Sequence, residues 1–275
     1  MLMLGLCIRI YRSSRTYSPR SPVGSLNMSL HRVIEEFAGQ SRRCTNAGDL
    51  FALIEAAARE IGFPRVAVAH GMSFRRPGQH FICMDNYGDW GDIFVERRYY
   101  IADPATLAGV RTNSAFAWCQ IPELLVLTKA QQKILEEAQR YGLHSGYTVP
   151  VGVPGEPHGS SSFVAAGADL PSKWHCRAAA LIGADAFREA RRLHGFPRRA
   201  TQLPQLSDRK LQCLELLAMG KTDVEIAIIL GIKESTVRTY LAALRRDFDV
   251  VSRTQLALEA LRFGLIDYGD AIPQG

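Results

Sequence analysis

The sequence has no long apolar run and no paired cysteines. No apolar stretch approaches the roughly 18 residues that a membrane-spanning helix needs. The opening MLMLGLCIRIYR is interrupted by arginine too soon to predict a secretory signal. The six cysteines are scattered without a CxxC pair, which predicts reduced thiols and a cytoplasmic location. We therefore expect a protein with no membrane partner.

The sequence also lacks the common catalytic and metal-binding motifs. Neither HExxH nor GxSxG occurs, and the seven histidines are dispersed, so we expect no catalytic residues, no metal and no resident cofactor. The GKT at 220–222 does not predict a phosphate loop, because position 215 is Glu215 where that loop needs glycine. An S-x-x-K spacing from Ser207 to Lys210 leaves an enzyme as the weaker alternative, since Ser207 is better placed to cap a helix.

Charge is unevenly distributed along the 275 residues, whose formal net charge is +6. Residues 1–27 hold four arginines and no acid, and residues 188–199 hold five arginines and one glutamate. Residues 206–275 hold nine basic and ten acidic side chains. Charge alone therefore does not predict nucleic-acid binding by the C-terminal segment.

Composition and periodicity divide the chain into four parts. Residues 1–27 include a Ser/Pro/Arg-rich stretch and are predicted to be disordered. Because Met28 directly precedes a helical pattern, we interpret these residues as an extension that results from an upstream start codon. A targeting segment is the alternative. Residues 28–195 alternate helical and strand patterns. Residues 196–205 carry two prolines and no period, which predicts a linker. Residues 206–275 predict four short helices.

The pattern in 28–195 predicts an α+β fold, with an antiparallel sheet sandwiched between helices and large enough for an internal cavity. Helical periods cover 50–62, 90–98, 129–142 and 171–195, and strand patterns cover 65–70, 80–85, 148–153 and 161–168. The RRPG at 75–78 predicts the hairpin loop between the first two strands.

The C-terminal helices carry their own boundary signals. Thr222 with Glu225, and Ser252 with Gln255, have capping-box spacing. In the helix that follows Gly231, Val237, Leu241 and Leu244 form one apolar stripe. Taken alone, this is an amphipathic helix with a solvated basic face.

Together, residues 206–261 resemble the LuxR-type helix-turn-helix, with 222–230 as the scaffold helix and 235–247 as the recognition helix. The resemblance implies an all-α DNA-binding domain that binds double-stranded DNA. It assigns a base-edge contact to Arg238 and phosphate contacts to Arg245, Arg246 and Lys221. Base or phosphate contacts are expected from Thr236, Thr239 and Tyr240.

The N-terminal part resembles the autoinducer-binding domain of the acyl-homoserine-lactone receptors. The resemblance is carried by Trp90, Asp103, Pro104 and Trp118, together with Gly146 and Pro150. Residues 237–253 resemble in particular the plasmid-transfer regulators of that family. The acidic cluster of a phosphoacceptor receiver is missing after the first strand.

This resemblance implies a small-molecule ligand, an N-acyl-homoserine lactone. Trp90, a donor, suits the ring carbonyl, and Asp103, an acceptor, suits the amide N–H. Trp118 is expected to pack on the ring or tail. Taken singly, the two tryptophans read as core aromatics and Asp103 as a helix N-cap, and Asp103 can serve both roles.

Three positions in the candidate ligand site concern the contact to the acyl carbonyl or depart from the family pattern. Phe94 stands where the family has a tyrosine whose hydroxyl meets the acyl carbonyl. Tyr87 lies one residue closer to Trp90 than the family pattern places its upstream tyrosine. Ser162 is the candidate to replace part of the lost bonding, with Ser160 on the same strand face.

A further departure from the family lies in the first C-terminal helix, where Lys210 replaces a glutamate. We expect this change to remove a capping interaction and a helix-packing ion pair. The chain is thus predicted to be a ligand-responsive transcriptional regulator and not an enzyme. It would bind an inverted-repeat site as a homodimer formed through 171–195, with RNA polymerase as a further partner. The alternative is an orphan regulator that needs no ligand or senses another compound.

Overall fold

The structure is a computed structural model that describes residues 26–71, 82–153, 156–196, 204–267 and residue 269. The chain divides into two compact units, with the boundary after residue 198. The predicted hairpin loop at 75–78 and most of the predicted linker lie outside the described residues. No helix among the described residues has both the length and the apolar character to cross a membrane.

The first unit contains five strands and seven α-helices among its described residues. The strands are β1 (Arg65–His70), β2 (Ile82–Asp85), β3 (Phe116–Ala117), β4 (Gly146–Val151) and β5 (Gly159–Val164). The helices are α1 (Leu26–Ser41), α2 (Ala47–Glu60), α3 (Asp89–Glu96), α4 (Pro104–Gly109), α5 (Ile121–Leu124), α6 (Lys129–Arg140) and α7 (Lys173–Leu193). Short 3₁₀ turns cover Tyr99–Ile101 and Trp118–Gln120.

The five strands form one antiparallel sheet in the order β2-β1-β5-β4-β3. The centre of the sheet pairs β1 with β5, so that Val66 lies opposite Phe163. On the other side of β5, Thr148 of β4 lies opposite Ser162. Because side chains alternate between the two faces of a strand, this register decides which polar groups share a face.

Helices cover both faces of the sheet. On one face α7 packs against β1, β4 and β5, and α1 and α2 pack against α7. The main core lies there and includes Phe37, Ile54, Phe163 and Phe187, all of which are buried. The opposite face is covered by α3, α4 and α6, with smaller clusters around Trp90 and Phe116. The predicted α+β sandwich with an antiparallel sheet is therefore confirmed.

One glycine allows the long helix to approach the sheet closely. A Cβ on Gly183 of α7 would lie 3.0 Å from both the Phe163 ring and the Ser161 Cβ. The Gly183 carbonyl also accepts a hydrogen bond of 2.8 Å from the buried Ser161 hydroxyl. Because residue 183 has no side chain, α7 packs closely against the core face of the sheet. The Gly183 carbonyl is then the hydrogen-bond acceptor for the buried Ser161 hydroxyl.

The described part of the second unit contains the helices α8 (Asp208–Ala218), α9 (Asp223–Leu230), α10 (Glu234–Asp247) and α11 (Arg253–Arg262). Both predicted capping boxes are present, at Thr222 with Glu225 and at Ser252 with Gln255. Gly231 adopts φ +64° after α9, a left-handed conformation that glycine enters without steric cost. The predicted all-α architecture of this segment is confirmed.

Several elements differ from the sequence prediction. Helix α1 begins at Leu26, so Leu26 and Asn27 are helical rather than disordered. The strand pattern did not predict β3, which has only two residues. The long helix starts at Lys173 rather than 171, with Ser172 as its N-cap residue. Short elements give too few residues for a period to be detected.

Candidate ligand cavity and nucleic-acid interface

A cavity of about 100 Å³ lies between the sheet and helices α3, α4 and α6. Its floor includes Ala67 and Ala69 of β1 and Ser160 and Ser162 of β5. The six residues predicted to bind ligand all line this one cavity: Trp90, Asp103, Trp118, Phe94, Tyr87 and Ser162. They come from four separate segments of the chain, 87–94, Asp103, Trp118 and Ser162, which the fold brings together.

The aromatic side of the cavity is built around Trp90, the second residue of α3. Its side chain is buried, and its ring centroid lies 6.2 Å from that of Phe94 and 5.7 Å from those of Tyr99 and Tyr141. The Tyr99 hydroxyl donates to Glu137 of α6 at 2.6 Å. Trp90 therefore serves as a core aromatic and as a wall of the cavity.

Asp103 occupies the N-cap of α4 and faces the cavity. Its Oδ2 accepts hydrogen bonds from the Thr106 backbone N–H at 2.8 Å and the Thr106 hydroxyl at 2.7 Å. Burial raises the pKa of the Asp103 carboxyl above its usual value, against the lowering effect of the Thr106 bonds. The capping and cavity-lining roles thus coincide in one carboxyl group.

Trp118 is held in place by a hydrogen-bonded chain across the sheet. Its indole Nε1 donates to Thr148 Oγ1 at 2.9 Å, and the Thr148 hydroxyl lies 2.9 Å from Ser162 Oγ. Thr148 and Ser162 are directly opposite in the β4–β5 register. These hydrogen bonds fix the indole plane at the edge of the cavity and leave Ser162 Oγ with capacity for two further hydrogen bonds.

Tyr87 has a structural role that its position in the sequence did not reveal. Its hydroxyl donates to the Ser162 backbone oxygen at 3.1 Å, so it ties the loop after β2 to β5. Burial raises the pKa of the phenol well above its usual value, so it remains protonated at neutral pH. Phe94 presents an unsubstituted ring to the same cavity.

Sequence reasoning missed several cavity residues. Cys83 and Asp85 of β2 both line the cavity, and their alternation in HFICMD was the available signal. Burial raises the pKa of Cys83 to about 12, so its thiol is neutral. A Cβ on Gly91 would lie 2.6 Å from Asp85 Oδ1, which shows how closely α3 approaches that carboxylate. Thr148, which holds Trp118, was also missed.

In the second unit, α10 has an apolar back and a polar front. Val237, Leu241 and Leu244 are buried against the other helices. Arg238, Thr239 and Arg246 are exposed. Thr236, Arg245 and Lys221 are half-buried, and Tyr240 packs partly against the core. The front therefore offers a guanidinium and hydroxyls of the kind that major-groove readout uses.

Two of the front residues have bonds to their own helix. The Arg238 guanidinium donates to Glu234 Oε1 one turn earlier. The Thr239 hydroxyl donates to the Ser235 carbonyl at 2.9 Å. Both side chains are exposed, so water or a ligand can replace these partners at small cost.

The expected loss of a helix-packing ion pair at Lys210 was wrong. Lys210 Nζ lies 2.8 Å from Asp247 Oδ2, at the end of α10, so the pair joins α8 to α10. The expected loss of a capping box is consistent with Ser207, which makes no side-chain capping bond. The lysine at position 210 therefore forms an ion pair with Asp247, and its charge is not left unpaired.

Comparison with known families gives matches for both units. Residues 46–190 match the family described as "Autoinducer binding domain", and residues 204–260 match "Bacterial regulatory proteins, luxR family". The first match alone covers more than half of the chain.

Individual relatives agree with the family matches. The HTH-type quorum sensing-dependent transcriptional regulator RpaR of Rhodopseudomonas palustris is 29% identical, over 76% of this chain and 78% of its own. The transcriptional activator TraR of Rhizobium radiobacter is 28% identical, over 68% and 81%. A solved structure of SdiA in complex with octanoyl-rac-glycerol has a TM-score of 0.55 at 23% identity, over 90% and 99%. The last of these supports the fold alone.

Proposed function

This chain belongs to the LuxR family of quorum-sensing transcriptional regulators with an autoinducer-binding domain, and we propose that its cavity binds an N-acyl-homoserine lactone. The observation that carries the proposal is the convergence of Trp90, Asp103, Trp118 and Ser162 on one cavity. The cavity offers an indole donor, a carboxylate acceptor and a hydroxyl among aromatic walls. A homoserine lactone presents a ring carbonyl, an amide N–H and an acyl carbonyl on an apolar tail, which is the complementary set.

The chemistry assigns a role to each group. Asp103 accepts the ligand amide N–H with the oxygen that Thr106 does not use, and Trp90 donates to the ring carbonyl. The aromatic rings and Trp118 pack on the ring and tail. Phe94 has no hydroxyl to donate to the acyl carbonyl, so we assign that contact to the Ser162 hydroxyl, which lines the same cavity.

Ligand binding is expected to stabilise the folded chain by mass action. A ligand present at a thousandfold excess over its dissociation constant adds on the order of 4 kcal/mol. The empty cavity holds a carboxyl group whose ionised form is disfavoured by burial. A ligand amide that bonds to this group offsets the penalty, so occupancy and folding are coupled.

The direct test is thermal melting of the purified full chain with a panel of lactones of short, medium and long acyl chains. We expect a rise of several degrees with one chain-length class. Trp90→Phe, which keeps an aromatic wall and removes the indole donor, should reduce that rise. Val126→Ala, at a residue 91% exposed, should leave it unchanged. A stable protein with no shift for any lactone would contradict the proposal.

We further propose that the second unit binds an inverted-repeat DNA site as a dimer. The exposed face of α7 supports self-association: Trp174 and Leu181 are 49% and 56% exposed, and the Arg177 guanidinium lies 4.6 Å from the Trp174 ring centroid. A two-fold protein dimer matches a two-fold operator. Leu181→Asp, examined by sedimentation with its DNA binding measured in parallel, should lower both association and operator affinity.

The roles proposed for the arginines of α10 can be separated by their dependence on sequence and salt. Arg238→Ala should lower the affinity for the specific site far more than the affinity for unrelated DNA, because base contacts carry the specificity. Arg246→Ala should weaken binding to all sequences alike and reduce the salt slope by about one unit. Equal losses on both kinds of DNA for Arg238→Ala would contradict its role as a base reader.

The second candidate function, an orphan regulator, is favoured by Phe94 in the cavity. Without a hydroxyl at this position the chain lacks one of the expected bonds to an acyl carbonyl. The melting panel distinguishes the two functions, because an orphan regulator that needs no ligand is stable without one and unaffected by lactones. DNA binding would be retained in that outcome.

A further inference from the structure

Arg238 is flanked by carboxylates on the face of α10 that the proposed function directs toward DNA. Its Nη2 donates to Glu234 Oε1, and its Nε lies 4.0 Å from Asp223 Oδ2 of α9. Glu234 is the first residue of α10, one turn before Arg238. The arginine therefore has an acidic neighbour on its own helix and a second one across the turn.

The two carboxylates differ in how they are held. Asp223 is 25% exposed and is bound by Arg253 of α11, whose other guanidinium nitrogen donates to the Lys221 carbonyl at 2.6 Å. That arrangement neutralises Asp223 and ties together three parts of the second unit. The Glu234 side chain is 40% exposed and bonds the 68%-exposed Arg238, so it can change partner when the arginine moves.

Two modest stabilising effects act on the acid at this position. A carboxylate in the first turn of a helix interacts favourably with the helix dipole, and the exposed ion pair with Arg238 within the same helix contributes little more to folding. A carboxylate on a DNA-facing surface also repels phosphates and lowers non-specific affinity. Glu234 therefore opposes general binding at the place where the recognition helix meets the bases.

Base chemistry supplies a use for this carboxylate. In the major groove, arginine donates to guanine O6 and N7, and glutamate accepts from the cytosine N4 amino group. Residues near the N-terminus of a recognition helix are the ones that contact base edges. Glu234 and Arg238 are already in contact, so together they present an acceptor beside a two-pronged donor.

We propose that Glu234 is a specificity-determining residue that reads a cytosine next to the guanine read by Arg238. This inference rests on the proposed DNA-binding function. In the free chain Glu234 holds the guanidinium extended along the helix face, and on DNA it exchanges that bond for the cytosine amino group. The half-site is therefore expected to contain a fixed cytosine within one base-pair step of a fixed guanine.

The experiment is selection from a random double-stranded DNA library by the full chain, in the presence of a mixture of short-, medium- and long-chain N-acyl-homoserine lactones. Glu234→Gln keeps the shape of the side chain and removes its charge. Glutamine bonds the N6 and N7 atoms of adenine. We therefore expect this variant to enrich adenine at the position where the wild type enriches cytosine, with the guanine retained. The preference for cytosine should fall by on the order of tenfold or more.

Two controls separate the possible outcomes. Glu259→Gln removes an acid paired with Arg262 within α11 and should leave the selected sequence unchanged. Arg238→Ala should lose the guanine. The inference is overturned when the wild type and Glu234→Gln enrich the same base at every position. A wild type that enriches no sequence would instead remove the DNA-binding proposal itself.

Discussion

The Trp118 indole lies directly over the Cα of Gly146, and the contact is so close that a Cβ at 146 would stand 2.1 Å from Trp118 Cε2. The two residues are on separate elements, the turn after β3 and the first position of β4. The absence of a side chain at 146 is thus a condition for the position of the indole, which the bond to Thr148 then fixes.

Gly146→Ala is expected to displace the Trp118 ring from the edge of the cavity. The overlap involves a buried strand position that cannot yield easily, so we expect a loss of about 1–3 kcal/mol in stability and a weakened response to ligand. Thermal melting and tryptophan fluorescence measure the two effects. Gly167→Ala is the matched control, because a Cβ there meets nothing within 4 Å. Equal behaviour of the two variants would contradict the packing argument.

Asp103→Asn should stabilise the empty protein at neutral pH. Burial raises the pKa of Asp103 above its usual 3.8, so the folded chain holds this proton to higher pH than the unfolded chain. The contribution of this carboxyl group to the free energy of unfolding therefore falls as pH rises from about 3.8, its usual pKa, through its raised pKa in the folded chain. Asparagine remains an N-cap residue and carries no charge to bury.

Melting temperatures measured from acid to neutral pH should show this difference between Asp103→Asn and wild type growing as pH rises. The same variant should bind the lactone about ten- to a hundredfold more weakly, since a charged acceptor is replaced by a neutral one. A variant less stable than wild type at neutral pH would indicate that the capping role dominates.

Phe94→Tyr should strengthen lactone binding about two- to tenfold, because it restores a hydroxyl worth roughly 0.5–1.5 kcal/mol net. Isothermal titration against the best lactone of the melting panel measures the gain. Phe51→Tyr, in the core on the other sheet face, serves as a control for a hydroxyl added elsewhere. If the wild-type protein binds no lactone and the Phe94→Tyr variant does, the result would favour the orphan function.

Lys210→Glu should destabilise the second unit by about 1 kcal/mol, since it replaces the attraction to Asp247 with repulsion between partly exposed groups. The three tryptophans, Trp90, Trp118 and Trp174, all lie in the first unit. Urea unfolding should therefore shift only the part of the circular dichroism transition that α8–α11 contribute, to lower urea, and leave the fluorescence transition in place. Adding Asp247→Lys should restore stability, and a double variant as weak as Lys210→Glu alone would exclude the ion pair.

The sequence was most informative where a local rule determines structure. Thr222 and Glu225 predicted a helix start because a capping box is set by four consecutive residues. The strand at 65–70 followed from its alternation. The register between β4 and β5 could not be predicted from the sequence, because only the assembled sheet places Thr148 opposite Ser162 and next to Trp118. The same limit hid the bond from Tyr87 to the Ser162 carbonyl.

Long-range charge pairing was the other gap between sequence and structure. Lys210 was expected to remove an ion pair because the family residue at that position is acidic. Its partner in the structure, Asp247, is 37 residues away in the sequence. No period or motif links the two positions. Their contact depends on how α8 crosses α10, which is decided by the buried faces of both helices.

The pairing of β1 with β5 sets an order of events during synthesis. The first of these strands ends at His70, and the second ends only at Val164. Until the ribosome has delivered β5, one edge of β1 has no partner and the cavity lacks the part of its floor that Ser160 and Ser162 supply. Closing so long a loop is slow, so the nascent chain passes through an interval with an open sheet edge. The cavity is therefore complete only at the end of that interval, and the ligand that we propose can bind only then.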